Sequence, residues 1–205
     1  MSCPQTMASI SPALGSCAFK PGQIYRILFQ KVFLTGSTKN GVALADADDV
    51  ATFSALLALS TEAKAIATGI VGGGKVTAGQ IKEFGGGNET PGGAPIPMGK
   101  GASKFEGKMF QAIPTAIAEL KKLESVEGLG VYFVTHNNKV IGKKETISSV
   151  DKLLPIPLES FPYFQDTQFG ELENPSENVF GFYLPENWSD TMEVVDCIGI
   201  KDIKN

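Results

Sequence analysis

The sequence is poor in the residues that catalytic and metal sites most often use. It has one histidine, one arginine and one tryptophan in 205 residues, and its three cysteines form no C-x-x-C pair. An odd number of cysteines without that spacing argues against a disulfide framework and against a structural zinc site, and favours a reducing compartment. His136 precedes two asparagines, so we interpret it as a solvated turn residue. No serine stands in a G-x-S-x-G motif. We therefore expect a non-enzymatic protein without a cofactor or metal.

Long hydrophobic runs and dense positive charge are absent as well. The longest apolar-rich run, residues 50–59, is much shorter than the ~20 residues that cross a bilayer, so we expect no membrane partner. The first charged residue is Lys20, and a start without basic residues is not typical of a secretory signal peptide. A pI of about 5.1 without a basic patch excludes a typical nucleic-acid binder.

The charges that are present are unevenly distributed. Residues 1–45 hold four basic residues and no acid, which gives +4, whereas residues 159–205 hold ten acids and two lysines, which gives −8. Two interpretations follow. The charges belong to ordinary solvated surface, or the two ends of neighbouring subunits face each other. Under the second interpretation, Lys20 and Arg26 are candidate assembly residues.

Glycine and proline are abundant, with 23 and 12 residues, which favours turns and short strands over a helical bundle. Thirteen of the glycines lie in residues 69–107. We predict a Gly-rich excursion at 69–103, in which Lys75–Phe84 forms one strand of a hairpin and the remainder is a long loop that reaches a neighbouring subunit. The candidate assembly residues of this excursion are Gly86, Gly87, Gly92 and Gly93.

Two segments have helical patterns. Acidic residues precede the apolar run at 48–59, which is typical of a helix N-terminus. Residues 113–123 place Ile113, Ile117 and Leu120 on one face, with Pro114 in the first turn, where its missing N–H is harmless. We predict a short helix in the first segment and an amphipathic helix in the second.

The rest of the chain is predicted to be strands, turns and an extended N-terminal arm at 1–22. Alternating apolar, β-branched and aromatic residues predict the strands, which are expected at 23–34, 104–111, 129–135, 139–142, 178–184 and 193–203. The predicted fold class is mainly β: a single β-sandwich or rolled-barrel domain, residues 23–205, flanked by one amphipathic helix.

Two segments carry a resemblance to a known family. Residues 105–124 match a strand-then-helix element and residues 128–142 match the hairpin after it, as in the tail-tube protein fold of long-tailed phages and related contractile systems. Residues 182–190 are similar in texture to virion proteins of phages that infect Bacteroidetes. In the tail-tube fold one helix lies on a β-sandwich, a long loop reaches an adjacent subunit, and arms bridge stacked rings.

The resemblance implies a virion structural subunit, made in the host cytoplasm, that forms stacked rings through which DNA passes. Its partners would be copies of itself and other virion proteins. A capsid-surface or neck subunit of the same kind of virion is an alternative. A carbohydrate-binding β-sandwich is another, with Tyr163, Phe164 and Trp188 as stacking residues. Trp188 is also a candidate assembly residue, because a lone tryptophan often closes a sheet edge or an interface.

Overall fold

The computed structural model describes residues 22–36, 38–89, 91–110, 112–169 and 176–203. These residues form fourteen strands and two α-helices, α1 (Val50–Ala58) and α2 (Pro114–Lys121). The strands are β1 (Ile24–Lys31), β2 (Val42–Ala43), β3 (Ala65–Ala67), β4 (Val71–Thr77), β5 (Ile81–Phe84), β6 (Ile96–Lys100), β7 (Ser103–Phe110), β8 (Leu129–Thr135), β9 (Lys139–Ile147), β10 (Val150–Leu154), β11 (Ile156–Pro157), β12 (Tyr163–Phe164), β13 (Glu177–Leu184) and β14 (Met192–Asp196).

The larger sheet is antiparallel and has the order β2-β10-β9-β8-β1-β3, with β11 added on β8 and β14 on β9. Its central strand β8 is buried along its whole length, because both faces of this sheet are covered. Val131 and Phe133 belong to the core on one face, and Tyr132 and Val134 to the core on the other. This alternation is the period-2 pattern of a strand that is covered on both sides.

The smaller sheet, β12-β13-β7-β4, packs on one face of the larger one through a cluster of aromatic rings. Phe105 on β7 stacks on Phe182 of β13 with ring centroids 4.8 Å apart, and Phe182 lies 5.8 Å from Phe29 of the larger sheet. Offset and edge-to-face contacts of this kind stabilise a core beyond the area they bury. The two sheets therefore share one core, as in a β-sandwich.

Helix α2 closes this core, where Ile117 and Leu120 are buried. Helix α1 covers the opposite face of the larger sheet, and Phe53 packs edge-to-face on Tyr132. The Asp49 carboxylate caps α1 by accepting a hydrogen bond from the Ala51 N–H at 2.8 Å. The predicted fold class, a mainly β sandwich with a flanking helix, is confirmed, and both predicted helices are present within a few residues of their expected bounds.

A buried polar group ties the larger sheet together beneath α1. The Tyr132 hydroxyl lies 3.2 Å from both the Gln30 side-chain oxygen and the Leu153 carbonyl oxygen. The Gln30 amide in turn donates to the Ala63 carbonyl oxygen at 2.7 Å. Burial raises the pKa of Tyr132 far above its usual value, so the phenol stays neutral and donates its hydrogen.

Three local predictions are wrong. Lys75–Phe84 is not one strand, because the chain leaves the smaller sheet after Thr77 and begins a separate hairpin at Ile81. Ile113 is exposed rather than buried with Ile117, because the helix begins at Pro114 and Ile113 is only its N-cap. The last strand ends at Asp196, because Gly199 turns the chain with φ +88° into a 3-10 turn.

Candidate assembly surface

The distal hairpin comprises β5, β6 and the described turn residues between them, 85–89 and 91–95. The two strands pair only with each other, in a two-stranded sheet separate from the sandwich. All four residues of β5 and all five of β6 are exposed. A two-stranded hairpin has little stability of its own in water, so a surface that covers it would order it.

Large apolar side chains of the distal hairpin are exposed. Phe84 and Ile96 are direct cross-strand partners, so their side chains lie on the same face, and they are 58% and 49% exposed. Ile81 and Met98, on the same two strands, are 63% and 66% exposed. Grouped apolar side chains at the surface mark interaction sites more often than scattered ones do.

The base of the hairpin is a close backbone crossing. The Gly101 N–H donates to the Gln80 carbonyl oxygen at 2.8 Å. A Cβ atom on Gly79 would lie 1.9 Å from the Gly101 carbonyl oxygen, so only glycine fits at this position. The Lys100 N–H donates to a Glu186 carboxylate oxygen at 3.2 Å and so ties the hairpin to the loop after β13.

The four glycines predicted as assembly residues lie at the tip of the hairpin. Gly86, Gly87, Gly92 and Gly93 have φ values of +122°, +58°, +80° and +72°. Left-handed backbone explains why glycine occupies these positions, since a side chain would be strained there. Their role in assembly stays a prediction. The sequence analysis does not identify Phe84, Ile96 and Met98 as surface residues. Large apolar residues within a segment otherwise typical of an open loop are the feature that could have indicated an interaction surface.

Trp188 lies in a turn after β13, where it is half-buried. Its ring packs on Phe133 of the shared core, with centroids 6.0 Å apart. It also lines an open cavity of about 360 Å³ at the base of the distal hairpin, together with Lys100, Asn187 and Asp190. The residue therefore joins the sandwich core to the hairpin base, and its proposed contact with a neighbouring subunit stays a prediction.

Arg26 is used within the subunit. Its guanidinium donates to the carbonyl oxygens of Lys201 at 2.9 Å and Thr68 at 3.1 Å. The guanidinium also lies 5.8 Å from the centroid of the Tyr25 ring. Lys20, the other basic residue predicted to act in assembly, lies outside the described residues.

Three acids of the C-terminal region pair with lysines in the middle of the same chain. Glu177 pairs with Lys108 at 2.8 Å and Asp196 with Lys139 at 2.5 Å, and Asp166 pairs with Lys121. The Lys121 ammonium lowers the pKa of Asp166. Lys39, a basic residue of the N-terminal region, pairs with Glu145 in the middle of the chain and lowers the pKa of that carboxyl group. Some of the charges behind the predicted attraction between the N-terminal and C-terminal regions are therefore paired within the subunit, and the attraction itself stays a prediction.

The aromatic residues proposed for sugar stacking do not form one platform. Phe164 is buried in the shared core, where it stacks on Phe180. Tyr163, the preceding residue on β12, lies on the opposite face, and its hydroxyl donates to Glu106 at 3.2 Å. The Lys104 ammonium, 2.7 Å from the same carboxylate oxygen, is the main cause of the lowered pKa of Glu106. Trp188 lines the cavity at the base of the distal hairpin, and neither Tyr163 nor Phe164 is part of that lining.

His136 is exposed at the turn between β8 and β9, as predicted, and its ring packs edge-on against Tyr25 at 5.6 Å. Within the described ranges, no three histidine, cysteine or acidic side chains are grouped closely enough to hold a metal ion.

The part of the chain that the structure describes contains no helix of the length and apolarity needed to cross a membrane. No protein-family model, curated protein or solved structure is significantly similar to this chain.

Proposed function

We propose that this chain is a structural subunit without enzymatic activity, which assembles with copies of itself through the distal hairpin. The observation that carries the proposal is the pair Phe84 and Ile96, large apolar side chains that share one face of a hairpin projecting from the sandwich. Burial of this pair removes apolar surface from water, which is the main driving force of most protein association.

The chain has the parts that such a subunit needs. The sandwich supplies a rigid body, since its two sheets share a core of stacked rings. The distal hairpin supplies a projecting element that is joined to the body at a narrow base around Gly79 and Gly101. When a projecting element binds a different surface of the next subunit the contact is head-to-tail, and head-to-tail contacts generate rings when the rotation closes.

Among ring assemblies, we propose a phage tail tube. The proposal rests on the resemblance of residues 105–124 and 128–142 to the strand, helix and hairpin of tail-tube proteins. The net charge of −4 per subunit is compatible with a conduit, because negative walls repel phosphate and keep duplex DNA from binding. A capsid-surface or neck subunit of the same kind of virion is the alternative location.

The test compares the purified protein with the double variant Phe84→Ser/Ile96→Ser by sedimentation velocity and negative-stain electron microscopy. We expect the wild-type protein to form rings or stacked tubes and the double variant to remain a folded monomer. Ile113→Ser is the matched control, because Ile113 is an exposed isoleucine outside the hairpin. Wild-type protein that stays monomeric at high concentration would refute self-assembly, and a double variant that assembles normally would refute the role of the hairpin. Closed rings without stacking would favour the neck alternative over the tube.

A carbohydrate-binding function is the second candidate, and the cavity beside Trp188 is the observation that favours it. An indole ring next to amide and carboxylate groups is a combination that binds sugars by stacking and hydrogen bonding. Binding on a glycan array that is lost in Trp188→Ala, with the assembly state unchanged, would support this candidate over the structural one.

A further inference from the structure

A groove of about 490 Å³ opens on the side of the sandwich, between the end of α1, the edge strand β3 and helix α2. Leu57, Ile66 and Leu120 contribute its apolar lining, one from each of the three elements. A volume of this size is in the range of sites that hold a drug-sized group, which is enough for large side chains of a partner. No residue of the distal hairpin is among the described residues that line the groove.

The rim of the groove has a positive balance of charge. Arg26 and Lys64 stand at the rim, and Glu119 is the acid that faces them. Glu119 is already paired with Lys122 on the same helix, at 2.6 Å. Lys64 is exposed, and its charge is available to a partner.

The outer part of the distal hairpin has the opposite charge. Residues 83–97 contain Glu83 and Glu89 and no basic residue, and the two lysines of the hairpin, Lys82 and Lys100, lie at its base. The same stretch carries Phe84 and Ile96, the exposed cross-strand pair. An apolar projection with acidic flanks thus complements an apolar groove with a basic rim, and such complementarity aligns partners and suppresses wrong pairings.

We propose that this groove receives Phe84 and Ile96 of the distal hairpin of a second copy of this chain. The inference rests on the proposed self-assembly and names its receiving site. Because the hairpin and the groove are different surfaces of one subunit, each subunit donates one hairpin and accepts another, and the contact is head-to-tail when the donor and the acceptor are different neighbours. Lys64 of the acceptor lies near Glu83 or Glu89 of the donor in this arrangement.

Disulfide crosslinking between two variants tests the contact directly. Both are made in a Cys3→Ser/Cys17→Ser background, with Cys197 retained because it is buried. One carries Met98→Cys in the hairpin and the other Ala116→Cys in the groove, so that Phe84 and Ile96 stay intact. Ala118→Cys is the matched control, because Ala118 is also exposed on α2. It comes two residues after Ala116 and therefore lies on another face of the helix.

We expect mild oxidation to give a covalent dimer from the mixture of Met98→Cys and Ala116→Cys, and not from the mixture with Ala118→Cys. Assembly without the first dimer would overturn the groove while leaving the proposed function standing. Absence of any assembly in the wild-type protein would overturn both. A crosslink in a double variant that stays monomeric, with both cysteines on one chain, would show that the hairpin folds onto its own subunit and would also overturn the inference.

A charge exchange provides a second, independent measurement. We expect Lys64→Glu to shift the sedimentation profile toward monomer. Adding Glu83→Lys to the same chain should restore assembly, because each contact again joins an acidic and a basic residue, with their positions exchanged. Lys75→Glu is the control, because Lys75 lies on β4 outside the groove and hairpin. Equal assembly of Lys64→Glu and wild type at low salt would place Lys64 outside the contact and overturn the proposed pairing.

Discussion

The Arg26 Nε–H donates a hydrogen bond of 2.9 Å to the carbonyl oxygen of Lys201, which joins the first strand to the C-terminal turn of the chain. A second N–H of the same guanidinium donates to the Thr68 carbonyl oxygen at 3.1 Å, just after the edge strand β3. One side chain thus connects three parts of the chain that are distant in sequence. The fixed fork of the guanidinium makes both bonds at once, which a lysine ammonium on a flexible stem does less well.

We therefore expect Arg26→Met to lower the free energy of unfolding of the monomer by about 1.5–3 kcal/mol, the range for hydrogen bonds to charged groups. Arg26→Lys should recover only part of this loss. Lys31→Met is the control, since Lys31 lies on the same strand in an exposed pair with Glu62 and such pairs contribute about 0–1 kcal/mol. Urea unfolding measures all three. Equal stability of Arg26→Met and wild type would mean that the two hydrogen bonds contribute nothing net.

The electrostatic role of the N-terminal arm is tested at Lys20 alone, because reversing Arg26 would also destabilise the monomer. We expect Lys20→Glu to weaken assembly at low salt without changing the thermal stability of the monomer. The difference should shrink as salt is added, since charges are screened beyond about 10 Å at 0.1 M salt. Sedimentation velocity at low and high salt measures it. Identical profiles of Lys20→Glu and wild type at low salt would reject an electrostatic arm.

Helix α2 offers a matched pair of core and surface positions. Leu120→Ala should lower the free energy of unfolding by about 2–5 kcal/mol, because it opens a cavity under the helix. Ile113→Ala, at an exposed position just before the helix, should change it by less than about 0.5 kcal/mol. Thermal or urea unfolding separates the two. Similar losses for both variants would contradict the packing of α2 on the sandwich.

The spacing of apolar residues predicts which side chains of a helix are buried. Helix α2 shows that the same spacing does not predict where the helix begins. Ile117 and Leu120 were predicted to be buried and are, because they repeat at helical spacing. Ile113 fits the same spacing but precedes the first helical residue, so the spacing assigns a cap residue to the buried face. The spacing of the apolar residues alone does not show whether the helix begins at Pro114 or before it.

The distal hairpin shows a second limit. Lys75–Phe84 alternates like one strand, yet its first part pairs with β7 and its last part with β6. The break at Gly79 depends on the approach of the Gly101 carbonyl group, a contact between residues far apart in sequence. Ile96 and Pro97, in a stretch rich in glycine and proline, form a strand only because β5 pairs with them, and Met98 lies at the irregularity in that pairing.

The Glu62 carboxylate provides a prediction about pH. It accepts hydrogen bonds from the Thr35 hydroxyl at 2.6 Å and the Thr35 N–H at 3.1 Å, and it pairs with Lys31 at 3.1 Å. The bond from the Thr35 hydroxyl contributes most to lowering the pKa of Glu62 from 4.5 to about 2. A carboxylate whose pKa is lower in the folded state stabilises that state above its unfolded pKa and loses this contribution as the pH falls.

We therefore expect Glu62→Gln to be less stable than wild type at neutral pH and the difference to disappear as the pH falls from about 4.5 toward 2. Urea unfolding at several pH values measures the difference. Glu127→Gln, at another exposed position, controls for the loss of one negative charge. A difference between Glu62→Gln and wild type that stays constant across this range would contradict the role of the Thr35 and Lys31 contacts.

The base of the distal hairpin distinguishes two glycines that face each other. A Cβ on Gly79 would lie 1.9 Å from the Gly101 carbonyl oxygen, whereas a Cβ on Gly101 would have its nearest neighbour, the Gln80 carbonyl oxygen, at an ordinary 3.5 Å. Gly79→Ala must therefore push these two backbone segments of the subunit apart. The hydrogen bond from the Gly101 N–H to the Gln80 carbonyl oxygen is then lost. Gly101→Ala needs no such movement.

We expect limited proteolysis to cut Gly79→Ala within residues 80–100 faster than wild type, because an opened base leaves the hairpin without its anchor to the sandwich. Gly101→Ala should be cut at the wild-type rate. Assembly should follow the same order, since the hairpin presents Phe84 and Ile96 in one orientation only while its base is closed. Equal cleavage of the two variants would show that the crossing at Gly79 does not hold the hairpin. Faster cleavage with unchanged assembly would show that a neighbouring subunit, and not the base, sets its orientation.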